Sequence, residues 1–219
     1  MISAIFVAFV IFVVNSKSTA NRLSAEKIRV KLGEVMIGRE IVVLGESTST
    51  NDEILQRTTN ETREGLVVFA EHQSAGRGQH GKRWESAPGK GLWFSVLLRP
   101  KIDIDKSARL TTWAAETIAT TIEQELSLRA TIKSPNDVYV DGRKVAGVLM
   151  EMRVQKNAPH VGILGIGVNV NHTAQNFPAE LRATAGSLAL AAGRPLDRHR
   201  LAVALLRNLD RTYPAVFGS

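Results

Sequence analysis

The sequence predicts an α+β domain built on a mixed, largely antiparallel sheet flanked by helices. Two observations carry this. Apolar runs of strand length recur along the chain, and Asp141-Gly142 between two of them is a hairpin signal. Segments with helical period fall between groups of strands rather than after every strand, which disfavours a doubly wound parallel fold. A chain of 219 residues, 44% hydrophobic and 22% charged, can bury one ordinary core.

The elements follow in order. Residues 24–32 read as a short helix capped by Ser24. Residues 40–44 read as a strand. The polar turn 47–52 precedes a helix through Ile54 and Leu55, with Thr50 or Asn51 as its cap. Residues 66–71 form a buried strand, and a second strand spans 92–98. Residues 109–128 carry a helical stripe of Leu110, Trp113, Ala114, Thr117, Ile118, Thr121, Ile122 and Leu126. A strand at 130–133 turns at 134–137. Strands 138–140 and 145–151 make the hairpin, a strand at 161–171 follows, and a helix closes the fold at 201–213.

The most informative segment is 76–84, Gly-Arg-Gly-Gln-His-Gly-Lys-Arg-Trp, with three glycines and three cations in nine residues. Glycines let backbone N–H groups approach an anion, and Arg77, Lys82 and Arg83 supply positive charge. Taken alone, the loop reads either as an anion cradle or as a solvated basic turn. It is not a P-loop, because Arg83 and Trp84 follow Lys82 where a Ser/Thr for Mg²⁺ is needed. Gly76, Gly78 and Gly81 match a dinucleotide fingerprint in spacing, yet the loop joins strand to strand and opens no helix.

A net charge of +7 suits a nucleotide or another acidic partner without choosing among them. There is no cysteine, which excludes disulfides, thiolate metal sites and a cysteine nucleophile, and allows a reducing cytoplasm. The five histidines are scattered, so no metal site is assigned to them. Residues 1–20 form an apolar extension. Its run from Ile2 to Val14 is shorter than the roughly 20 residues that span a bilayer. It lacks a basic start and a cleavage site. An unstructured extension, a membrane-associating segment and a packed element all remain open for it.

Four segments carry more information together than singly: Ser49-Thr50-Asn51, Gln73 to Trp84, Lys133 to Met152, and Gly165 to Asn171. In order and spacing they resemble the catalytic domain of biotin protein ligases, which would occupy residues 21–219. The resemblance implies a class II aminoacyl-tRNA synthetase/biotin synthetase-like fold and a cytoplasmic enzyme. Its substrates would be biotin and ATP, with Mg²⁺ held mainly through the phosphates. Biotinyl-5′-AMP would form first, then biotin would pass to a lysine of a biotin carboxyl carrier domain, that of acetyl-CoA carboxylase or a related carboxylase. No nucleic-acid partner and no membrane association are expected, and a homodimer is allowed.

By the same resemblance, Lys133 and Arg77 are the catalytic cations. Ser49, Thr50, Asn51, Gln73, Gly76, Arg77, Lys133 and Gly147 would bind biotin. Arg77, Gly78, Gln79, Trp84, Lys133, Asn136 and Asn169 would bind ATP or the adenylate. Three features depart from the family pattern. Gln79 and Lys82 stand where arginines are usual, and Ser134 replaces a tryptophan. The chain also stops at Ser219, where the family continues into a small β-barrel-like domain, expected to be absent here. Two other readings stay open: a lipoate or octanoyl transfer enzyme of the same superfold, and a biotin- or adenylate-binding protein without efficient transfer.

Overall fold

The computed structural model describes residues 22–153 and 160–217, so the apolar extension lies outside the described residues. Seven strands form one sheet in the order β1-β2-β3-β7-β6-β5-β4. They are β1 (Glu40–Leu44), β2 (Leu66–Ala70), β3 (Gly91–Leu98), β4 (Ala130–Lys133), β5 (Asp137–Val140), β6 (Arg143–Arg153) and β7 (Val161–Asn169). Only β1 and β2 run parallel; every other pairing is antiparallel. The mixed, mostly antiparallel sheet expected from the sequence is therefore what the chain builds.

Period-two alternation gives the sheet two faces. Leu92, Phe94, Val96 and Leu98 of β3 join Leu164, Ile166 and Val168 of β7 in the main core. Helices α1 (Ala25–Leu32), α3 (Ala108–Leu126) and α5 (Arg198–Phe217) contribute to that core. Helix α3 buries Leu110, Trp113, Ala114, Thr117, Ile118, Thr121 and Ile122, as its period predicts. On the other face, Ile54 of α2 (Thr50–Arg57) packs with Leu66, Val68, Leu97, Val161 and Ile163. Further along β7 this face carries Gly165 and Gly167 instead of bulk. The apolar layer stops there, and the sheet leaves room above its backbone.

Helix boundaries differ from the sequence reading where a cap was missed. Ser49, not Thr50 or Asn51, is the N-cap of α2, although its hydroxyl makes no capping bond. Thr50 and Asn51 lie inside the first turn, both buried. Helix α5 begins at Arg198 because the Asp197 carboxylate accepts from the His199 and Arg200 amides at 2.8 and 3.2 Å. It continues through Pro214 to Phe217. The five-residue α4 (Leu188–Ala192), capped by Ser187, was not foreseen.

A buried ion pair fixes the end of β2, from which the site departs. The Arg198 guanidinium, 1% exposed, lies 2.9 Å from the Glu71 carboxylate and donates to the Gly91 carbonyl at 3.0 Å. Removing one partner of such a pair strands a charge and costs about 3–5 kcal/mol. Gln73 follows Glu71 by two residues, and its own amide donates to the Ser86 hydroxyl at 2.8 Å.

Candidate active site

The bare stretch of β7 lies beneath two adjoining recesses. The inner one is bordered by the first turn of α2, by Gln73, by loop residues Arg77, Gly78, Gln79 and Trp84, and by Asn136, Lys144, Gly147, Gly165 and Gly167. It is narrow, about 50 Å³, room for a few waters. The outer trough, about 470 Å³, is bordered by the same loop, by Lys133 to Asp137, by Asn169, and by Phe177, Leu181, Thr184 and Ala185.

The polar end of the inner recess is organised by one acceptor atom. Gln73 Oε1 accepts from the Thr50 amide at 2.8 Å and from the Thr50 hydroxyl at 3.1 Å. Its Nε2 donates to nothing among the described residues, and neither does the buried Ser49 hydroxyl. The Ser95 hydroxyl stands within bonding distance of both the Thr50 hydroxyl and Asn51 Oδ1. Asn51 Nδ2 donates to Glu151 at 2.6 Å. Thr50 and Asn51 are thus already engaged and set the shape of the recess, while Ser49 and Gln73 keep polar atoms for a ligand. A buried donor left without a partner costs about 1–3 kcal/mol, so this end selects a polar head group.

Arg77 borders only the inner recess. Its two terminal nitrogens each donate at 2.7 Å to one oxygen of Asp52, and a third contact reaches Glu151 at 3.4 Å. The bonded guanidinium holds the Asp52 carboxyl below the usual carboxylate range, and the same bond raises Arg77. The loop itself closes by two backbone bonds, Gly78 to Lys82 and Trp84 to Gly76. Gly76 lines neither recess; it is buried where a Cβ would lie 2.7 Å from the Trp84 carbonyl.

Trp84 separates the recesses and lines both. A Cβ on Gly167 would fall 2.5 Å from its indole, and one on Gly147 would fall 2.8 Å away. Both strands must therefore be bare for the ring to lie flat on the sheet. Gly165 is bare for Asn51, whose Oδ1 would sit 2.5 Å from a Cβ there. Lys144 lies over the Trp84 ring at 5.2 Å and pairs with Asp137 at 2.6 Å.

In the outer trough, Lys133 ends β4 with its side chain exposed and without an ion pair among the described residues. Lys82 and Arg83 border the same trough. Asn136 borders both recesses, its Nδ2 bonded to Asp137 at 2.9 Å. Asn169 donates to the Gly186 carbonyl at 3.0 Å, which leaves its Oδ1 for another donor. Ser134 is an exposed part of the trough wall.

The structure therefore divides the predicted residues. Ser49, Thr50, Asn51, Gln73, Arg77 and Gly147 meet in the inner recess; Lys133 and Asn169 meet in the outer; Gly78, Gln79, Trp84 and Asn136 border both. Lys133, expected at both ligands, borders only the outer trough, and Arg77 only the inner. Sequence reasoning missed Lys144, Asp52, Ser95 and Glu151. Lys144 and Glu151 lie within the segment Lys133 to Met152, and Asp52 directly follows Ser49-Thr50-Asn51. Among the described residues, no cluster of three or more His, Cys, Asp or Glu is placed to hold a metal.

Comparison with known proteins agrees with this geometry. The bifunctional ligase/repressor BirA of Bacillus subtilis is 35% identical over 192 residues, 88% of this chain and 59% of that protein. The biotin–[acetyl-CoA-carboxylase] ligase of Mycobacterium tuberculosis is 33% identical over 178 residues, covering 78% and 63%. The chain thus spans about three-fifths of the length of these relatives. The solved biotin protein ligase of Aquifex aeolicus, in complex with biotin and ATP, superposes with a TM-score of 0.68 at 30% identity. That match covers 80% of this chain and 72% of the other. The shared sheet is the class II synthetase-like fold that the resemblance implied. Residues 44–169, from the end of β1 to the last residue of β7, match the biotin/lipoate A/B protein ligase family, and the chain belongs to that family.

Proposed function

We propose that the protein activates biotin with ATP and transfers it to a lysine of a biotin carboxyl carrier domain. The observation that carries this reading is the pair of recesses meeting at Trp84, one ending in the Ser49 hydroxyl and Gln73 Nε2, which make no hydrogen bond among the described residues, the other bordered by Lys82, Arg83 and Lys133. A ureido group offers a carbonyl acceptor and two N–H donors to the inner end. The saturated chain of an octanoyl group would leave Ser49 and Gln73 unpaired, which favours biotin over the lipoate-type alternative.

In the first step a carboxylate oxygen of biotin forms a bond to the α-phosphorus of ATP. The bond from that phosphorus to the bridging oxygen of the β-phosphate breaks, and pyrophosphate leaves. The cations of the outer trough offset repulsion between carboxylate and triphosphate and stabilise charge in the transition state. No enzyme nucleophile is needed. In the second step the neutral ε-amine of the carrier lysine attacks the anhydride carbonyl, AMP leaves and an amide forms. Mg²⁺ would enter with ATP, held mainly through its phosphates, and would supply further charge to offset that of the triphosphate.

The test is calorimetric titration with biotin, lipoate and octanoate, each with and without ATP. Biotin binds alone, and more tightly with a non-hydrolysable ATP analogue. Tighter binding of lipoate than of biotin would overturn the assignment.

A further inference from the structure

Strand β3 carries a single hydroxyl, Ser95, in an otherwise apolar and fully buried run. Its neighbours Phe94 and Val96 enter the main core, so Ser95 faces the site, in register with Gly165 of β7. A buried hydroxyl is a cost to the fold unless it is hydrogen-bonded. We infer that Ser95 is a positioning residue: it directs a one-way chain of hydrogen bonds that fixes the Gln73 side chain with Nε2 towards the ligand, so that the inner recess selects a head group ending in a carbonyl oxygen. The inference rests on the proposed function and deepens it.

The sense of the chain follows from its members. The Thr50 amide can only donate, so the Gln73 atom 2.8 Å from it is the acceptor, Oε1. The Thr50 hydroxyl donates to the same atom at 3.1 Å. Ser95 in turn donates to the Thr50 hydroxyl oxygen at 2.7 Å, which leaves the Thr50 proton to Gln73. Both donors therefore sit on Oε1, and Nε2 is left to the ligand. Gly76 leaves room for it: a Cβ there would stand 3.1 Å from Nε2.

Ser95 also donates to Asn51 Oδ1, while Asn51 Nδ2 donates to Glu151 at 2.6 Å. Asn51 is thus held with its acceptor towards β3. Without the Ser95 hydroxyl, Asn51 Oδ1 loses its donor. The Thr50 hydroxyl is released from its place between Ser95 and Gln73. Gln73 is then held by the Thr50 amide alone and can turn either end to the recess.

The test compares biotin with its 2-imino analogue at neutral pH, where C=NH₂⁺ replaces the ureido C=O. The analogue keeps the ring shape but presents donors where biotin presents an acceptor. Affinities for both are measured by titration in the wild type, Ser95→Ala, Ser95→Thr and Val96→Ala, with circular dichroism on each. Val96→Ala weakens the same strand from its core face, so it reports what a purely structural loss does. The wild type is expected to prefer biotin. The preference falls about tenfold in Ser95→Ala, the size of effect of one buried hydrogen bond. It stays within threefold in Ser95→Thr, which keeps the hydroxyl, and in Val96→Ala. If Ser95→Ala does not fold, Ser95→Cys, whose thiol is a weak donor, is read by the same criteria. An alanine or cysteine variant that keeps the preference, a threonine or Val96→Ala variant that loses it as fully, or a wild type that binds both ligands equally overturns the assignment while the proposed function stands. A wild type that does not bind biotin overturns both.

Discussion

Arg77 on the glycine loop grips Asp52 in the first turn of α2 with two parallel hydrogen bonds of 2.7 Å. This is the tie between the roof of the inner recess and its wall. A cation that the sequence assigned to an anionic ligand is instead paired within the protein, so the loop has an internal reason to stay in place.

Asp52→Asn should loosen that tie. A partly exposed ion pair is worth up to about 1 kcal/mol, or about fivefold in an equilibrium. Tryptic cleavage at Arg77, Lys82 or Arg83 of the ligand-free protein should accelerate by that order, and biotin with ATP should slow it in the wild type. Equal cleavage in variant and wild type would show that the pair does not hold the loop.

Gly167→Ala should displace Trp84, whose ring stands 2.5 Å from the position of the new Cβ. Overpacking of this kind costs about 1–3 kcal/mol. Denaturant unfolding should show that loss, and biotin affinity should drop about tenfold as the wall of the inner recess moves. Unchanged affinity would place Trp84 away from the ligand.

The fold was legible because apolar runs of strand length are a strong signal: β3 is buried along all eight of its residues, and β7 is apolar along nearly all of its nine. Helix α4 was missed because five residues give no period to read, and the start of α5 because Asp197 was not recognised as its cap. In the site, motif residues did converge on one face. Their division into two recesses was not legible, because it depends on where Trp84 lies across β6 and β7, strands that come 59 to 85 positions later in the chain. Lys144 was passed over because the sequence reading left it in the turn before the strand at 145–151, where a lysine reads as a solvent-facing residue.

Gln79 borders both recesses and makes no side-chain hydrogen bond among the described residues. It offers neutral donors where an arginine would offer charge. A charge-assisted bond is worth about 1.5–3 kcal/mol against about 1 for a neutral one. Gln79→Arg should therefore slow release of biotinyl-adenylate several-fold, measured as single-turnover release of radiolabelled adenylate. A faster or unchanged release would mean that position 79 does not face the phosphate.

His172 is 2% exposed, stacked on Phe177 at 4.9 Å and edge-on to Trp93 at 5.6 Å. Burial, with the nearby Lys90 charge, pushes its pKa down to about 4. The unfolded chain takes up that proton near pH 6.5, and the folded chain only near 4. The neutral ring is therefore fully tolerated above pH 6.5, and stability falls as pH drops from 6.5 towards 4, by about 3 kcal/mol in all. Urea unfolding of His172→Phe against wild type across this range should show the slope reduced in the variant. An equal slope would assign it to other groups.

The central claim is that the outer trough activates an acid held in the inner recess, with Lys133 supplying charge to the transition state. Biotin-dependent exchange of radiolabelled pyrophosphate into ATP reads that step alone, without a carrier. The account predicts exchange by the wild type that requires biotin and is not supported by lipoate, and a loss of about 10²–10³-fold in Lys133→Ala with biotin still bound. Exchange without biotin, no exchange by a wild type that binds biotin, or near-normal exchange in Lys133→Ala would contradict it.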